Sequence, residues 1–567
     1  MSKYSIGVDF GSLSARALVA EIGTGRELGV ASMDYPHGAM DGALPDGTPL
    51  PPDWALQSPR DFWDCLGFVI PEAVKRAGIS SEDVIGLGID ATSCTVLPVD
   101  ARNVPLCEKP EYSGVPHAWM MMWKHHAAQD RANRITEIAR ERGGLLERYG
   151  GRVSSEWLLP RLWQVLDEAP EIYAAADRFV DAGDWLVARL TQDDPARPPC
   201  RSACVAGYKY FWSPETGYPP GDFLAALDPR LAVTLPEKLR GRVLSVGSRA
   251  GGLTADGAKH VGLRPGTPVA VANIDAHVCM PSIGRVTPGD YLMILGTSTC
   301  HMLTAEEDRF VPGICGAVKD GLISGMMGYE AGQSCVGDHF AWAARTCCPP
   351  EYFEAARREN TDIHSYLTRL AERLRPGESG LLALDWWNGN RSVLVDADLT
   401  GLMLGMTLAT RPEEIYRALV EATAYGARTI IENFEAHALP VRRLFACGGI
   451  ARKNPFIMQL YADALNREIR VAASAEAAAL GSAMFGAVAA GRAGGGYDDV
   501  RDAAAEMGHI SERRYLPRSE SAAVYEQLFQ EYSALHDWYG RGGSDVMKRL
   551  KALRTGHKPV GNDDARL

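Results

Sequence analysis

Two short runs of glycine and hydroxyl residues, each following a strand-like segment, are the first places in this chain where chemistry could be housed. Tyr4-Ser5-Ile6-Gly7-Val8-Asp9-Phe10 leads into Gly11-Ser12-Leu13-Ser14, and Asp290-Tyr291-Leu292-Met293-Ile294-Leu295 leads into Gly296-Thr297-Ser298-Thr299. Backbone N–H groups and hydroxyls in such turns can face phosphate oxygens. One Gly-Ser turn usually only joins two strands. Two of them 285 positions apart in a chain of 567 residues predict a duplicated domain, with a cleft in which both turns grip one nucleotide. Asp9 ends the first strand, where a carboxylate either caps the turn or holds Mg²⁺ beside the phosphates.

The elements that must position these turns follow from hydrophobic period and punctuation. Ala15–Ala20 resumes as a strand and closes the first hairpin, as Cys300-His301-Met302-Leu303 closes the second. Val84–Asp90 is a buried strand, followed by the small turn Ala91-Thr92-Ser93 and a further strand through Val99. Helices are predicted over 119–142, 158–175, 412–438, 455–465 and 518–539, and a glycine-rich loop over 491–496. Arg443–Cys447 is a strand that ends in Gly448-Gly449. The junction falls near Val286-Thr287-Pro288-Gly289, giving units of 1–287 and 288–545 and a polar, loosely ordered tail over 546–567.

Composition removes several classes of function. With 59 Lys+Arg against 71 Asp+Glu the formal charge is −12, unlike the clustered basic footprint of a nucleic-acid binder. No apolar run approaches the ~20 residues that span a bilayer, and no partner membrane is expected. The 12 cysteines are scattered from Cys65 to Cys447 without C-x-x-C spacing, as expected of reduced, buried thiols in a cytoplasmic protein. There is no P-loop: Gly252-Leu253-Thr254-Ala255-Asp256-Gly257-Ala258-Lys259 lacks the adjacent Lys and hydroxyl. Nor does a G-x-G-x-x-G open a helix after a strand. His125-His126 would point about 100° apart on a helix, so they do not suggest a shared metal ion.

Taken with the turn Gly448-Gly449-Ile450-Ala451-Arg452-Lys453-Asn454, the two hairpins resemble those of the FGGY carbohydrate kinases, from about residue 3 to about residue 540. Within that family the branch acting on the ketopentose L-ribulose is the most similar. The segments that carry this likeness are Trp123-Lys124-His125-His126, Ser154–Pro160, Ala206–Trp212, Asn273-Ile274-Asp275-Ala276-His277 and Gly328–Ser334. The resemblance implies an α/β fold, two ribonuclease-H-like (actin-like ATPase) domains of duplicated origin around an interdomain ATP and sugar cleft. It implies ATP with Mg²⁺ at Asp9, a small ketopentose acceptor phosphorylated at its 5-hydroxyl, and no nucleic acid; it admits a homodimer. D-ribulose and D-xylulose are alternative acceptors. A non-kinase actin-like ATPase or a sugar-responsive regulator is the alternative of another class.

The same resemblance distributes the site residues. Asp275, otherwise an N-cap after Val269–Asn273, matches the catalytic base. Lys209, Glu330 and Ser93 match positions lining the sugar, where one cationic donor and one anionic acceptor would orient its hydroxyls. Trp123 and Trp157 either wall the sugar or belong to the core. Gly11, Ser12 and Arg16 match the first phosphate element and Gly296 and Thr297 the second. The backbone at Gly448 and Gly449 would pass close to the adenosine, with Asn454 reaching the base edge. Leu13 stands where many relatives carry a hydroxyl, and Arg16 has a surface carboxylate as its alternative partner.

Overall fold

The computed structural model describes residues 2–555. Two seven-stranded sheets repeat one topology. In the first, β1 (Tyr4–Phe10), β2 (Ser14–Glu21) and β3 (Glu27–Asp34) form an antiparallel meander, and β4 (Val84–Ala91) lies parallel to β1 on its other side. Beyond β4 come the antiparallel pair β5 (Arg249–Gly252) and β6 (Pro268–Ala270), with β6 parallel to β4, while the short β7 (Asn273–Ile274) also runs parallel to β4. In the second sheet β8 (Asp290–Leu295) and β9 (Thr299–Ala305) make the hairpin. Strands β10 (Gly316–Lys319) and β11 (Met327–Gln333) extend it antiparallel. On the far side of β8, β12 (Arg443–Cys447) and β13 (Ile469–Ala472) run parallel, and β14 (Ile510–Tyr515) closes the edge antiparallel. The order β3-β2-β1-β4-β6-β5 therefore has its counterpart in β11-β9-β8-β12-β13-β14, with the same relative directions at every step.

The turns are not superposable residue for residue. Phe10 faces Ala15 across the first hairpin, but Leu295 faces Thr299 across the second, so the second turn is one residue tighter. Accordingly the closing bond is Gly11 N–H to Ser14 O in one and Gly296 N–H to Ser298 O in the other, each 3.0 Å.

Local signals explain most helix boundaries. The helix α1 (Pro59–Ala77) starts with Ser58 as N-cap and Pro59 in its first turn, and stops at Gly78 in the left-handed conformation. Residues 119–142 are not one helix. Met120–Met121 is a short strand, turns follow, and α2 (Gln129–Arg142) begins ten positions later than predicted. The stretch 158–175 breaks at Ala169-Pro170, leaving α3 (Leu158–Glu168) and a six-residue helix (Pro170–Ala175). A short helix, α4 (Ala203–Lys209), carries Lys209 at its end. Helices α5 (Pro412–Ala436) and α6 (Pro455–Leu465) lie where the periodicity puts them.

One helix crosses between the halves. α7 (Ala477–Gly494) belongs to the second half in sequence, yet it packs on β1 and β4 of the first sheet. A Cβ at Gly7 or Gly88 would collide with the backbone of Ala479 or Ser482, so glycine at these strand positions lets the helix lie flush on the sheet. The boundary drawn at 287/288 thus leaves out a segment that the first sheet reclaims. The expected loop 491–496 is helical through Gly494, with a break at Gly491, where φ is 68°.

Residues 519–540 form the long α8 (Ser519–Gly540). The start of the expected loose tail is helical as well: α9 (Val546–Thr555) is fastened by Lys548 to Asp396 at 2.7 Å and Lys551 to Asp398 at 2.9 Å. The rest of that tail, 556–567, lies outside the described residues. No helix among the described residues is long and apolar enough to cross a membrane.

Candidate active site

The carboxyl ends of β1, β4 and β7 bring three acids together, at the position where open α/β sheets hold ligands. Asp9 and Asp90 are register partners on the parallel strands β1 and β4, and Asn273 pairs with Asp90 from the other side. The chain then leaves β7 at Asp275, whose N–H bonds to Ala91 O at 3.1 Å. The Asp275 carboxylate accepts the Ala276 N–H at 2.7 Å, a local tie that fixes its orientation ahead of a 3₁₀ turn, His277–Ile283.

Burial and mutual repulsion set the charge state of this group. Burial, reinforced by the Asp9 carboxylate, pushes Asp275 up to about 7. Burial raises Asp9 as well, against the opposing pull of Asp90 and Arg16. Asp90 is held well above the ordinary carboxyl range by burial and by Asp9. The Ser482 hydroxyl of α7 donates to Asp90 Oδ2 at 2.5 Å, while Asp90 Oδ1 has no partner among the described residues. Arg16 lies opposite Asp9 on β2, 3.8 Å from its carboxylate, and its guanidinium pairs with Glu476 at 2.9 Å. A phosphate would therefore have to share or displace Glu476.

A second charged cluster joins the halves. Lys209 Nζ reaches Glu330 Oε2 at 2.8 Å and Oε1 at 3.1 Å, with both side chains almost fully buried. Glu330, on β11, also accepts from Arg391 Nη2 at 3.0 Å and lies 3.3 Å from His277 Nε2. Burial alone would raise Glu330, but Lys209, His277 and Arg391 overcome it and hold its carboxyl well below the usual range. Burial opposes the Lys209 ammonium too, and the Glu330 carboxylate outweighs it. His277, lowered by burial, rests against the Tyr208 ring at 4.3 Å between centroids.

The expected sugar-wall residues divide. Trp123 is half-buried, and its indole Nε1–H donates to Ser12 Oγ at 3.0 Å, tying it to the first turn. Ser93 lies in the turn after β4, beside Thr92, whose hydroxyl meets Thr95 at 2.8 Å. Trp157 is core: it packs between Tyr149 and Phe211 at 5.2 and 5.3 Å. The His125-His126 pair is in a turn rather than on a helix. His125 is buried against Gln164 and Trp54, and His126 meets Ser155. No group of three or more His, Cys, Asp or Glu side chains among the described residues has metal-holding geometry.

In the second half, Gly296 and Thr297 form a turn braced by their own chain. Their carbonyls accept the N–H groups of Gly337 at 3.0 Å and Val336 at 2.8 Å. Gly448 has φ of 92°, which requires glycine, while Gly449 faces open space. Asn454 is occupied locally: Oδ1 caps α6 through Ile457 N–H at 3.1 Å and Nδ2 donates to Thr368 at 3.0 Å. Reaching a base edge would break both bonds.

Sequence reasoning missed three residues of these clusters. Asp90 had a signal, because Gly88-Ile89-Asp90 repeats Gly7-Val8-Asp9. His277 lies in a segment that carries the family likeness, but the sequence assigns it no role. Arg391 had none: it reaches Glu330 from an irregular loop 61 positions away.

Comparison with known proteins agrees with this architecture. The model of the FGGY family of carbohydrate kinases, N-terminal domain, matches residues 4–280, and that of the C-terminal domain matches residues 291–490. A ribulokinase of Geobacillus thermodenitrificans is 51% identical over 551 residues, covering 97% of each chain. One of Bacillus licheniformis is 52% identical over 544 residues, covering 96% of this chain and 98% of the relative. Among solved structures, a xylulose kinase from Rhodospirillum rubrum superposes with a TM-score of 0.75 at 21% identity, covering 94% of this chain and 98% of that one. A glycerol kinase from Plasmodium falciparum with ADP gives 0.73 at 14% identity, with coverages of 94% and 98%. The likeness to these two structures is one of fold.

Proposed function

The chain belongs to the FGGY family of carbohydrate kinases, and from that premise we propose that it transfers the γ-phosphoryl group of ATP to the 5-hydroxyl of L-ribulose. The observation that carries the choice of acceptor is identity of about half the residues, over nearly the full length, to proteins named ribulokinase. The two charged clusters supply the parts such a reaction needs.

Phosphoryl transfer asks for in-line placement, neutralisation of charge and an acceptor for the hydroxyl proton. Asp275 is the base. Its carboxyl titrates near neutrality because it is buried beside Asp9, so it is unprotonated enough to accept a proton and basic enough to hold it. The bond to Ala276 N–H occupies one carboxylate oxygen and leaves the other to face the acceptor hydroxyl. Lys209, Glu330, Ser93 and Trp123 orient the ketose, with Glu330 kept ionised by its three nitrogen partners. The turns at Gly11-Ser12 and Gly296-Thr297 take the phosphates from opposite sides, and Gly448-Gly449 takes the adenosine. Since the Lys209–Glu330 ion pair joins the two halves, sugar bound beside it is sequestered from water that would otherwise receive the phosphoryl group.

The donor set suits a magnesium ion. Asp9 is partly exposed at the mouth of the first turn, and Asp90 keeps one oxygen without a partner among the described residues, so carboxylate oxygens are left over beside the phosphate turn. Asp9 would hold such an ion, directly or through water, with the remaining positions left to phosphate oxygens. When bound, it would neutralise charge on the β- and γ-phosphates. All twelve cysteines are free thiols, which suits the reducing cytoplasm.

The test is a coupled ADP-release assay with L-ribulose, D-ribulose, D-xylulose, L-xylulose and glycerol, with and without Mg²⁺. L-ribulose should give the highest kcat/KM, and ADP release should require both sugar and Mg²⁺. Preference for another acceptor would overturn the assignment of substrate; sugar-independent ATP hydrolysis would overturn that of kinase.

A further inference from the structure

Behind the proposed sugar wall lies a buried cation that forms no ion pair among the described residues. Arg161, on α3, is fully buried, and its guanidinium donates to six backbone carbonyls. Nη1 reaches Cys94 O and, at 3.3 Å, Met121 O. Nη2 reaches Met122 O at 2.9 Å, Trp123 O at 3.2 Å and His125 O at 3.0 Å, and Nε reaches Ser155 O at 3.3 Å. No carboxylate among the described residues forms an ion pair with it.

Burying a charge without a counter-ion is costly, and an apolar side chain of similar length would fill the space more cheaply. What only a guanidinium supplies is five N–H donors in one rigid plane. Here they gather the turn after β4, the stretch Met121–His125, which pairs with the strand after that turn only at Val96–Met121, and the loop before α3. Cys94, whose carbonyl is one of the six, has a left-handed φ of 55°, a conformation that a non-glycine residue adopts only when its surroundings hold it there. Ser93 precedes it. Trp123, whose carbonyl is another, extends its indole to Ser12 in the first turn.

We infer that Arg161 is a positioning residue for the acceptor pocket: by gathering these carbonyls it fixes Ser93 and Trp123 relative to each other, and through Trp123 it fixes Ser12 of the phosphate turn. This rests on the reading above that Ser93 and Trp123 face the sugar. Arg161 itself is sealed behind the wall and touches neither ligand.

Arg161→Lys keeps the charge with three donors, and Arg161→Gln keeps two donors without it. Initial rates for wild type and both variants, varying L-ribulose and ATP separately, give the test. Loss of hydrogen bonds to a charged donor should raise KM for the ketose by about ten- to hundredfold. KM for ATP should move less than KM for the ketose, because Arg161 reaches the phosphate turn only indirectly, through Trp123 and Ser12. Preference among the ketopentoses should narrow, and the Lys variant should retain more of it than the Gln variant. A structural role alone would lower the concentration of active enzyme and so the apparent kcat, leaving both KM values as in wild type; that result overturns the inference. So does failure of both variants to fold, which would assign Arg161 to the fold alone. A wild-type enzyme inactive on every ketopentose would instead sink the functional reading, whatever the variants do.

Discussion

The two sheets share strand order and direction, but they present different chemistry at corresponding points. Phe10 and Leu295 each precede the turn glycine, so Asp9 corresponds to Ile294. Across the parallel neighbour, Asp9 faces Asp90 where Ile294 faces Cys447. Across the hairpin, Asp9 faces Arg16 where Ile294 faces Cys300. An acid–acid–base trio in one half is thus an aliphatic–thiol–thiol trio in the other. Duplication conserved the backbone and left the acids of this strand-end position in one copy. Crowded carboxylates lower the stability of a fold, so acids at this one strand-end position, absent from its counterpart, mark it as a candidate for chemistry. The second half contributes its charge elsewhere, through Glu330 on β11 and Arg391.

The sharpest way to break this comparison is to neutralise the charged copy at its outlet. Asp275→Asn preserves shape and the bond from Ala276 N–H, and removes only the proton acceptor. We expect kcat to fall by roughly 10²–10⁴-fold, the usual contribution of a positioned base. The ketose KM should stay within several-fold of wild type. Turnover close to wild type would show that the acids of the first half are structural and that the asymmetry carries no chemistry.

A smaller effect follows from the charge state. Asp275 titrates at about 7 because Asp9 and burial disfavour its ionised form. Below that pH it carries its proton and cannot receive another, so kcat/KM should decline about tenfold per pH unit under the midpoint. Asp9→Asn removes the repelling neighbour and should shift the midpoint downward. A profile that is flat between pH 5.5 and 8, roughly the range over which such a group changes charge, would remove Asp275 from the proton transfer.

The duplication was legible because it is written in local signals. Glycine and hydroxyl residues must occupy tight turns, and two such turns recur at half-chain spacing. Helix α6 was legible for the same reason, with Pro455 in its first turn and Asn466 in the left-handed conformation at its end. The stretch 119–128 was not. Its apolar residues satisfy a helical period, but strand pairing of Met120–Met121 and the bonds from Arg161 to the carbonyls of residues 121–125 hold it in a non-helical path. Helix α7 shows a different limit. Its small residues reveal that it is buried but not against which sheet, and the answer lies in Gly7 and Gly88, hundreds of positions earlier. The pairing of Lys209 with Glu330 came through family resemblance, since no pattern in a single chain joins positions 121 apart. Arg391 shows what remains beyond reach: a loop residue with neither period nor turn signal, located only by the charge it neutralises.

The smallest predicted effect separates function from stability at the same atom. Asp275 has a folded-state pKa above its unfolded value, so folding favours its protonated form. At low pH both folded and unfolded states are protonated, and the residue costs nothing. As pH rises from about 4 to about 7 the unfolded chain releases this proton before the folded one does, and stability falls. Above 7 the penalty is complete. Asp275→Asn removes it, so the variant should melt a few degrees, roughly 2–4 °C, above wild type at pH 8. The gain should shrink as the pH falls below 7 and disappear only below about 4, where the unfolded chain is protonated as well. Cys447→Ser, at the second-half position corresponding to Asp90, replaces a thiol without changing charge and should show no pH-dependent difference from wild type. A variant that gains stability as it loses turnover would mean that the first half keeps Asp275 at the expense of its fold.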